Sequence, residues 1–156
     1  GYTTTVRSVV LTANTAYSIV VGAAGTNGNP SSAGGETTAF TASAAGGKNT
    51  SNGTSSSKRP GGAGGSGGAG YVSPVATTTG GTDGGDGTSS ATTGGKGQGT
   101  TTREFGEADG TLYASGGGSN LTATVSNSGN GGRNKLTSIA PADGIVVIRQ
   151  HKEVAT

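Results

Sequence analysis

Apolar positions gather at the two ends of this chain and nearly vanish between them. Near the start, TTTVRSVVLTANTAYSIVVGAAG puts Val6, Ser8 and Val10 on one face of an extended backbone, with Arg7, Val9 and Leu11 on the other. Thr12–Thr15 carries Asn14 and reads as a turn. Tyr17, Ile19 and Val21 then alternate with Ser18 and Val20. This period of two, filled largely by β-branched residues, predicts a β-hairpin. At the other end DGIVVIRQ, from Asp143 to Gln150, is a continuous apolar run that predicts a buried strand.

The middle is polar and punctuated by glycine. ETTAFTASAAGG predicts a second extended stretch anchored by Phe40 and closed at Gly46-Gly47. Lys48 to Pro60 has no periodicity and reads as a polar loop. Glycine then recurs in pairs as far as Gly94-Gly95. REFGEADGTLYASGGG predicts a turn at Asp109-Gly110 and a short strand around Leu112 and Tyr113, NLTATVS alternates Leu121, Ala123 and Val125, and NSGNGGRN is a turn cluster. No segment sustains a 3.6 period, and Gly and β-branched residues are poor helix formers. The expected fold class is therefore all-β without helix. A small β-core is formed by the N-terminal hairpin and the C-terminal strand, with glycine-rich extended, polyglycine II-like segments and long loops between. The chain reads as one domain, 1–156: N-terminal strands over 3–47, glycine-rich loops and extended segments over 48–100, returning strands over 101–150 and a tail at 151–156.

Within GGAGGSGGAG, Gly61 to Gly70, the glycines come in pairs and every third residue is Ala63, Ser66 or Ala69. A period of three matches the left-handed extended helix, in which this run would span about 31 Å at ~3.1 Å per residue. Two of its three faces would carry no side chain, so neighbouring backbones could approach and hydrogen-bond. A flexible Gly/Ser linker predicts irregular spacing between two independent domains. The regular spacing, and flanks unable to fold alone, favour packed glycine structure. Collagen needs many triplets and abundant Pro, and the chain has four Pro.

Composition sharpens this reading. With 34 Gly, 28% hydrophobic residues and no Trp or Met, the chain cannot build a core of ordinary density. Such poverty in apolar residues suggests disorder, but disordered chains are usually rich in charge and only 12% of these residues are charged. The balance is closer to fibrous and surface proteins. A net charge of +2 is spread over ten scattered Lys and Arg, with Lys58-Arg59 the tight pair. That excludes a basic stripe tracking a phosphate backbone, so no nucleic acid is expected as a partner. No apolar run is long enough to span a membrane. The absence of Cys removes disulfides and thiol chemistry. Starting at Gly1 rather than Met, the chain reads as a piece of something longer.

Candidate chemistry is sparse. His151 has no second His or Cys with which to build a triad or metal cluster, and reads as an exposed tail residue. TDGGDG sets Asp83 and Asp86 in a glycine loop, but the pattern is not repeated as shared calcium ligands require. In GGKGQGTTT, Lys96 is followed by Gly97 rather than Ser or Thr, which rules out a phosphate loop. Glu104, Glu107 and Asp109 read as turn-forming charges, with a salt bridge involving Arg103. No enzyme, cofactor or metal is expected. Asn49, Asn52 and Asn120 each begin an acceptor pattern for glycosylation.

Three stretches, in order, resemble the glycine-rich domain of phage tail fibres and related tail proteins. They are TANTAYSIVVGAAG, where Val21-Gly22-Ala23-Ala24-Gly25 precedes Glu36 to Phe40, then REFGEADGTLYASGGG, then the closing DGIVVIRQ. The resemblance implies a structural or adhesive module of a phage or prophage tail fibre, part of the extracellular virion. It implies association with other copies of the fibre protein, a trimer being favoured, and no catalytic residues. A domain of a bacterial surface fibre or adhesin is the alternative, and ice binding a more distant one. Because a glycine body has few side chains to recognise anything, specificity is expected in the loops. The residues singled out for a host cell-surface glycan or polymer are Asn49, Asn52, Lys58, Arg59 and Tyr71. Tyr71 could stack on a sugar ring or belong to the core.

Overall fold

Ile19 and Val20 form the first strand, β1, where the β-branched run begins to pair. The computed structural model describes residues 1–26, 31–49, 64, 65, 68, 102–118, 128–132 and 139–150. β2, Thr37–Ala39, and β3, Ala42–Ala44, complete an antiparallel sheet in the order β1-β2-β3. The register sets Ile19 opposite Ala39 and Val20 opposite Thr38, then Thr38 opposite Ser43 and Ala39 opposite Ala42. Among the described residues there is no α-helix and only 3-10 geometry, at Thr102 and in the turn Glu104–Gly106, so the fold is all-β as the periodicity predicts.

The strands fall in different places from those the pattern suggests. ETTAFTASAAGG is not one extended stretch but a hairpin whose two corner residues are Phe40 and Thr41. Phe40 adopts φ 56°, a left-handed conformation unfavourable for a residue with a Cβ. Its ring meets Tyr17 edge-on, with centroids 5.7 Å apart. Such a contact contributes about 0.5–1.5 kcal/mol beyond area burial and helps offset the backbone strain. The turn after Leu11 forms as expected: Thr15 N–H donates to the Thr12 carbonyl at 3.3 Å, and Asn14 has φ 57°. The Tyr17 hydroxyl oxygen accepts from Thr12 N–H at 2.8 Å, closing the turn from its far side. The flanking apolar run, Val6 to Leu11, is not a strand.

A second hairpin-like unit spans 102–113. Arg103 bridges Leu112, Glu104 N–H donates to the Thr111 carbonyl at 2.9 Å, and Tyr113 N–H donates to Thr102 at 2.8 Å. The expected turn is present: Gly110 N–H donates to the Glu107 carbonyl at 3.0 Å. The segment 120–126, expected to alternate as a strand, lies outside the described residues.

Among the described residues, segments that belong to no ladder are joined by backbone hydrogen bonds. Tyr2 N–H donates to Ala45 at 3.0 Å, Gly34 N–H to Gly47 at 3.1 Å, and Gly35 N–H to Ala23 at 2.9 Å. Gly144 N–H reaches Gly22 at 2.9 Å, Ala142 N–H reaches Asn130 at 2.9 Å, and the Gly1 nitrogen donates to the Gly129 carbonyl at 3.2 Å. These contacts close a circuit in which each segment bonds two neighbours. A Cβ at Gly22 would overlap the Gly35 carbonyl, and one at Gly46 the Gly34 carbonyl. Backbones approach this closely because the side chains are missing there.

The interior follows from that lacing. Ala114 is the one buried hydrophobic residue among those described, at 3% exposure; Thr102 and Ser128 are buried polar residues. Gly22, Gly64, Gly65 and Gly118 are also buried. Ala114 N–H donates to the Ser128 carbonyl at 2.8 Å. The run 143–150, expected to be a buried strand, joins no strand ladder, with Ile145 and Val146 half-buried and Val147 and Ile148 exposed. It joins the N-terminal region through Gly144 instead.

Candidate functional site

Asn49 is the one sequence-nominated recognition residue within the described part. Its side-chain amide donates to the Ser31 carbonyl at 3.0 Å. That contact fixes the point where the polar loop leaves the glycine body, against the turn in which Ser32 N–H donates to the Thr26 carbonyl at 3.2 Å. Asn52, Lys58, Arg59 and Tyr71 lie outside the described residues, as do His151, Asp83, Asp86 and Lys96.

Within GGAGGSGGAG, Gly64, Gly65 and Gly68 are described. Gly64 and Gly65 are buried, and Gly65 N–H donates to the Gly1 carbonyl at 2.6 Å. A buried glycine bonded to a distant segment is what packed glycine structure requires of this stretch; a free linker would leave it solvated.

Among the described residues, the charges expected in the 103–109 turn gather around Phe105, and the ties of this cluster to Arg7 and Arg149 were not expected from the residue pattern. Phe105 sits in the 3-10 turn with φ 51°. Arg7 Nη2 donates to its carbonyl at 2.7 Å. The Arg149 guanidinium lies 4.1 Å from the centre of its ring, a cation–π contact. Arg149 also forms two hydrogen bonds to the Glu107 carboxylate, at 2.5 and 3.0 Å. Tyr113 donates to Glu104 Oε2 at 3.2 Å, and Arg103 Nη1 donates to the Gly110 carbonyl at 3.1 Å. These contacts clasp the arm that carries Arg7, the 102–113 unit and the C-terminal run.

The electrostatics agree with a clasp. The Arg149 hydrogen bond holds the Glu107 carboxyl below its ordinary value, with the charges of Arg149 and Arg7 acting the same way. Partial burial raises the Tyr113 hydroxyl, and its bond to Glu104 adds to that. The Tyr17 hydroxyl is lowered because Thr12 N–H donates to its oxygen. Glu104 accepts from the Tyr113 hydroxyl, and Glu107 accepts from the Arg149 guanidinium.

The profile of the glycine-rich domain family matches residues 1–149. The chain belongs to that family. The match takes in the whole laced body, from Gly1 to the closing Arg149 of the clasp. No curated protein and no solved structure matches the chain. As a glycine-rich domain it places backbone where most folds place side chains.

Proposed function

We propose that this glycine-rich domain is a structural and adhesive module of a phage tail fibre, acting outside the cell in host-surface attachment. The observation that carries the reading is the circuit of backbone hydrogen bonds through Gly22, Gly34, Gly35, Gly47, Gly129 and Gly144. A body held by main-chain contacts keeps its shape with few side chains, as a fibre element must. Recognition falls to the segments that interrupt it, because loops on a rigid scaffold carry the variable functional groups.

The polar loop that begins beside Asn49 contributes Asn52, Lys58 and Arg59, and Tyr71 follows the glycine run. Amides, two cations and an aromatic ring suit a cell-surface glycan or similar polymer. Each domain binds weakly, and several copies in one fibre, a trimer on the resemblance, raise the effective affinity. The domain performs no catalysis in this reading.

The experiment replaces Asn49, Asn52, Lys58, Arg59 and Tyr71 with Ala in the fibre protein, confirms folding, and measures adsorption to host cells. A severalfold loss of adsorption is expected. Unchanged adsorption would leave the domain a structural cap and move recognition elsewhere in the fibre.

A further inference from the structure

Asparagine is followed by glycine at three places, Asn27-Gly28, Asn52-Gly53 and Asn130-Gly131. This pairing is chemically labile. With no Cβ on the second residue, its amide nitrogen reaches the asparagine side chain with little steric resistance. That nitrogen loses its proton, bonds Cγ and expels ammonia, leaving a cyclic imide. Water then opens the imide to aspartate or to isoaspartate. In isoaspartate the main chain runs through Cβ and Cγ and is longer by a methylene. Water is the sole co-reactant, and nothing is oxidised or reduced.

Asn130-Gly131 is the pair within the described residues. Its segment, 128–131, bonds a neighbour on each side. Ala114 N–H donates to the Ser128 carbonyl and Gly131 N–H to the Ser115 carbonyl, both at 2.8 Å. Gly129 N–H donates to the Asp143 carbonyl at 2.6 Å, and Ala142 N–H donates to the Asn130 carbonyl at 2.9 Å. The packing calls for both members of the pair. Ser115 N–H donates to Asn130 Oδ1 at 2.8 Å, so the side-chain oxygen serves where a ladder partner would offer a carbonyl. A Cβ at position 131 would come within 2.7 Å of the Gly117 nitrogen, so glycine is required there.

We infer that Asn130-Gly131 is a self-modification site, silent while the circuit is closed, whose reaction makes opening of the circuit irreversible. Ser115 holds both reacting groups. Its N–H binds the amide oxygen, and its carbonyl binds the N–H whose proton must leave. The bond to Oδ1 by itself would polarise Cγ, but the Gly131 nitrogen does not yield its proton to water while Ser115 accepts it. Reaction therefore waits for 128–131 to part from Ser115 in a local opening. Aspartate leaves the main chain intact and keeps an acceptor for Ser115 N–H. Isoaspartate places its added methylene between Gly129, bonded to Asp143, and Gly131, bonded to Ser115, so the two sides no longer fit in register. The Asn130 carbonyl that accepts from Ala142 becomes a free carboxylate. This inference is independent of the attachment reading.

Peptide mapping by mass spectrometry tests it on the 156-residue chain, aged in mildly alkaline buffer with and without denaturing urea. In urea, Asn27 and Asn52 report the intrinsic rate of the same dipeptide. Asn130 should react at least about tenfold more slowly in buffer than in urea, the protection given by an opening cost of about 1.4 kcal/mol. Equal rates at Asn130 in the two conditions would overturn the inference. For irreversibility, Asn27→Gln with Asn52→Gln leaves Asn130-Gly131 as the one such pair. This variant is aged in urea, returned to buffer and separated by size exclusion. Chains with asparagine or aspartate at position 130 should enter the compact fraction, and chains with isoaspartate should be depleted from it. Isoaspartate at equal abundance in the compact and expanded fractions would overturn the irreversible step. If the double variant does not refold before ageing, the parent chain, sorted by its product at position 130, gives the same comparison.

Discussion

Gly144 N–H donates to the Gly22 carbonyl at 2.9 Å, joining the last segment of the body to the first. Gly22 is buried, and its own N–H donates to Thr37 Oγ1 at 2.9 Å. Thr37 Oγ1 is also the atom a Cβ at Gly144 would overlap. Three segments distant in the chain thus meet at a point where no side chain fits except that of one threonine. The glycines here are spacers set to zero.

Gly22→Val should therefore be among the most damaging single substitutions. Its Cβ would run into the Gly35 carbonyl, and overpacking of this kind typically costs about 1–3 kcal/mol. Ala33→Val, at an exposed position in the neighbouring segment, should shift stability by less than about 0.5 kcal/mol. Urea midpoints of the two variants provide the comparison. Equal midpoints would mean that the segments separate without loss and that the circuit does not hold the fold.

The all-β class and two of the turns were legible in the sequence; the positions of the strands were not, and the limits have physical causes. The turn at Asn14 and the turn ending at Gly110 were readable because local residues determine them. The hairpin corner at Phe40 was not, since an aromatic residue at positive φ breaks turn chemistry and is stabilised by Tyr17, far along the chain. The apolar run 145–148 predicted burial by the usual rule that such residues enter the core. Here close glycine contacts fill the interior and leave Val147 and Ile148 at the surface, with Ile145 and Val146 half-buried. The Phe105 clasp joins residues 98 and 42 positions apart, which no local pattern encodes.

The clasp should make the fold sensitive to acid. Glu107 has its carboxyl held below the ordinary 4.5 by Arg149. A carboxyl lowered in the folded state contributes stability that is fully present above its unfolded value. The contribution disappears as pH falls from 4.5 through the lower folded value. Both partners are exposed, so the effect is small and salt screens it. Glu107→Gln should narrow the difference in urea midpoint between pH 7 and pH 3, and added salt should narrow it in the parent protein. An identical difference in parent and variant would show that the ion pair adds nothing to stability.

The glycine run is the most direct test of whether repeated small residues act as structure. Gly65 is buried, and its N–H donates to the Gly1 carbonyl at 2.6 Å. Gly65→Val should destabilise the domain, by about 1–3 kcal/mol if the cost is that of overpacking. The period of three assigns Ala63 and Ser66 to the third face of the run, the one that carries side chains. Ala63→Val and Ser66→Val should then be milder, and the order of the three midpoints reports the periodicity independently of their absolute values. A Gly65→Ala variant adds a graded step, because a single methyl group demands less displacement than a branched side chain. If Gly65, Ala63 and Ser66 accept Val equally, the run is a linker, and the bond to Gly1 holds nothing in place.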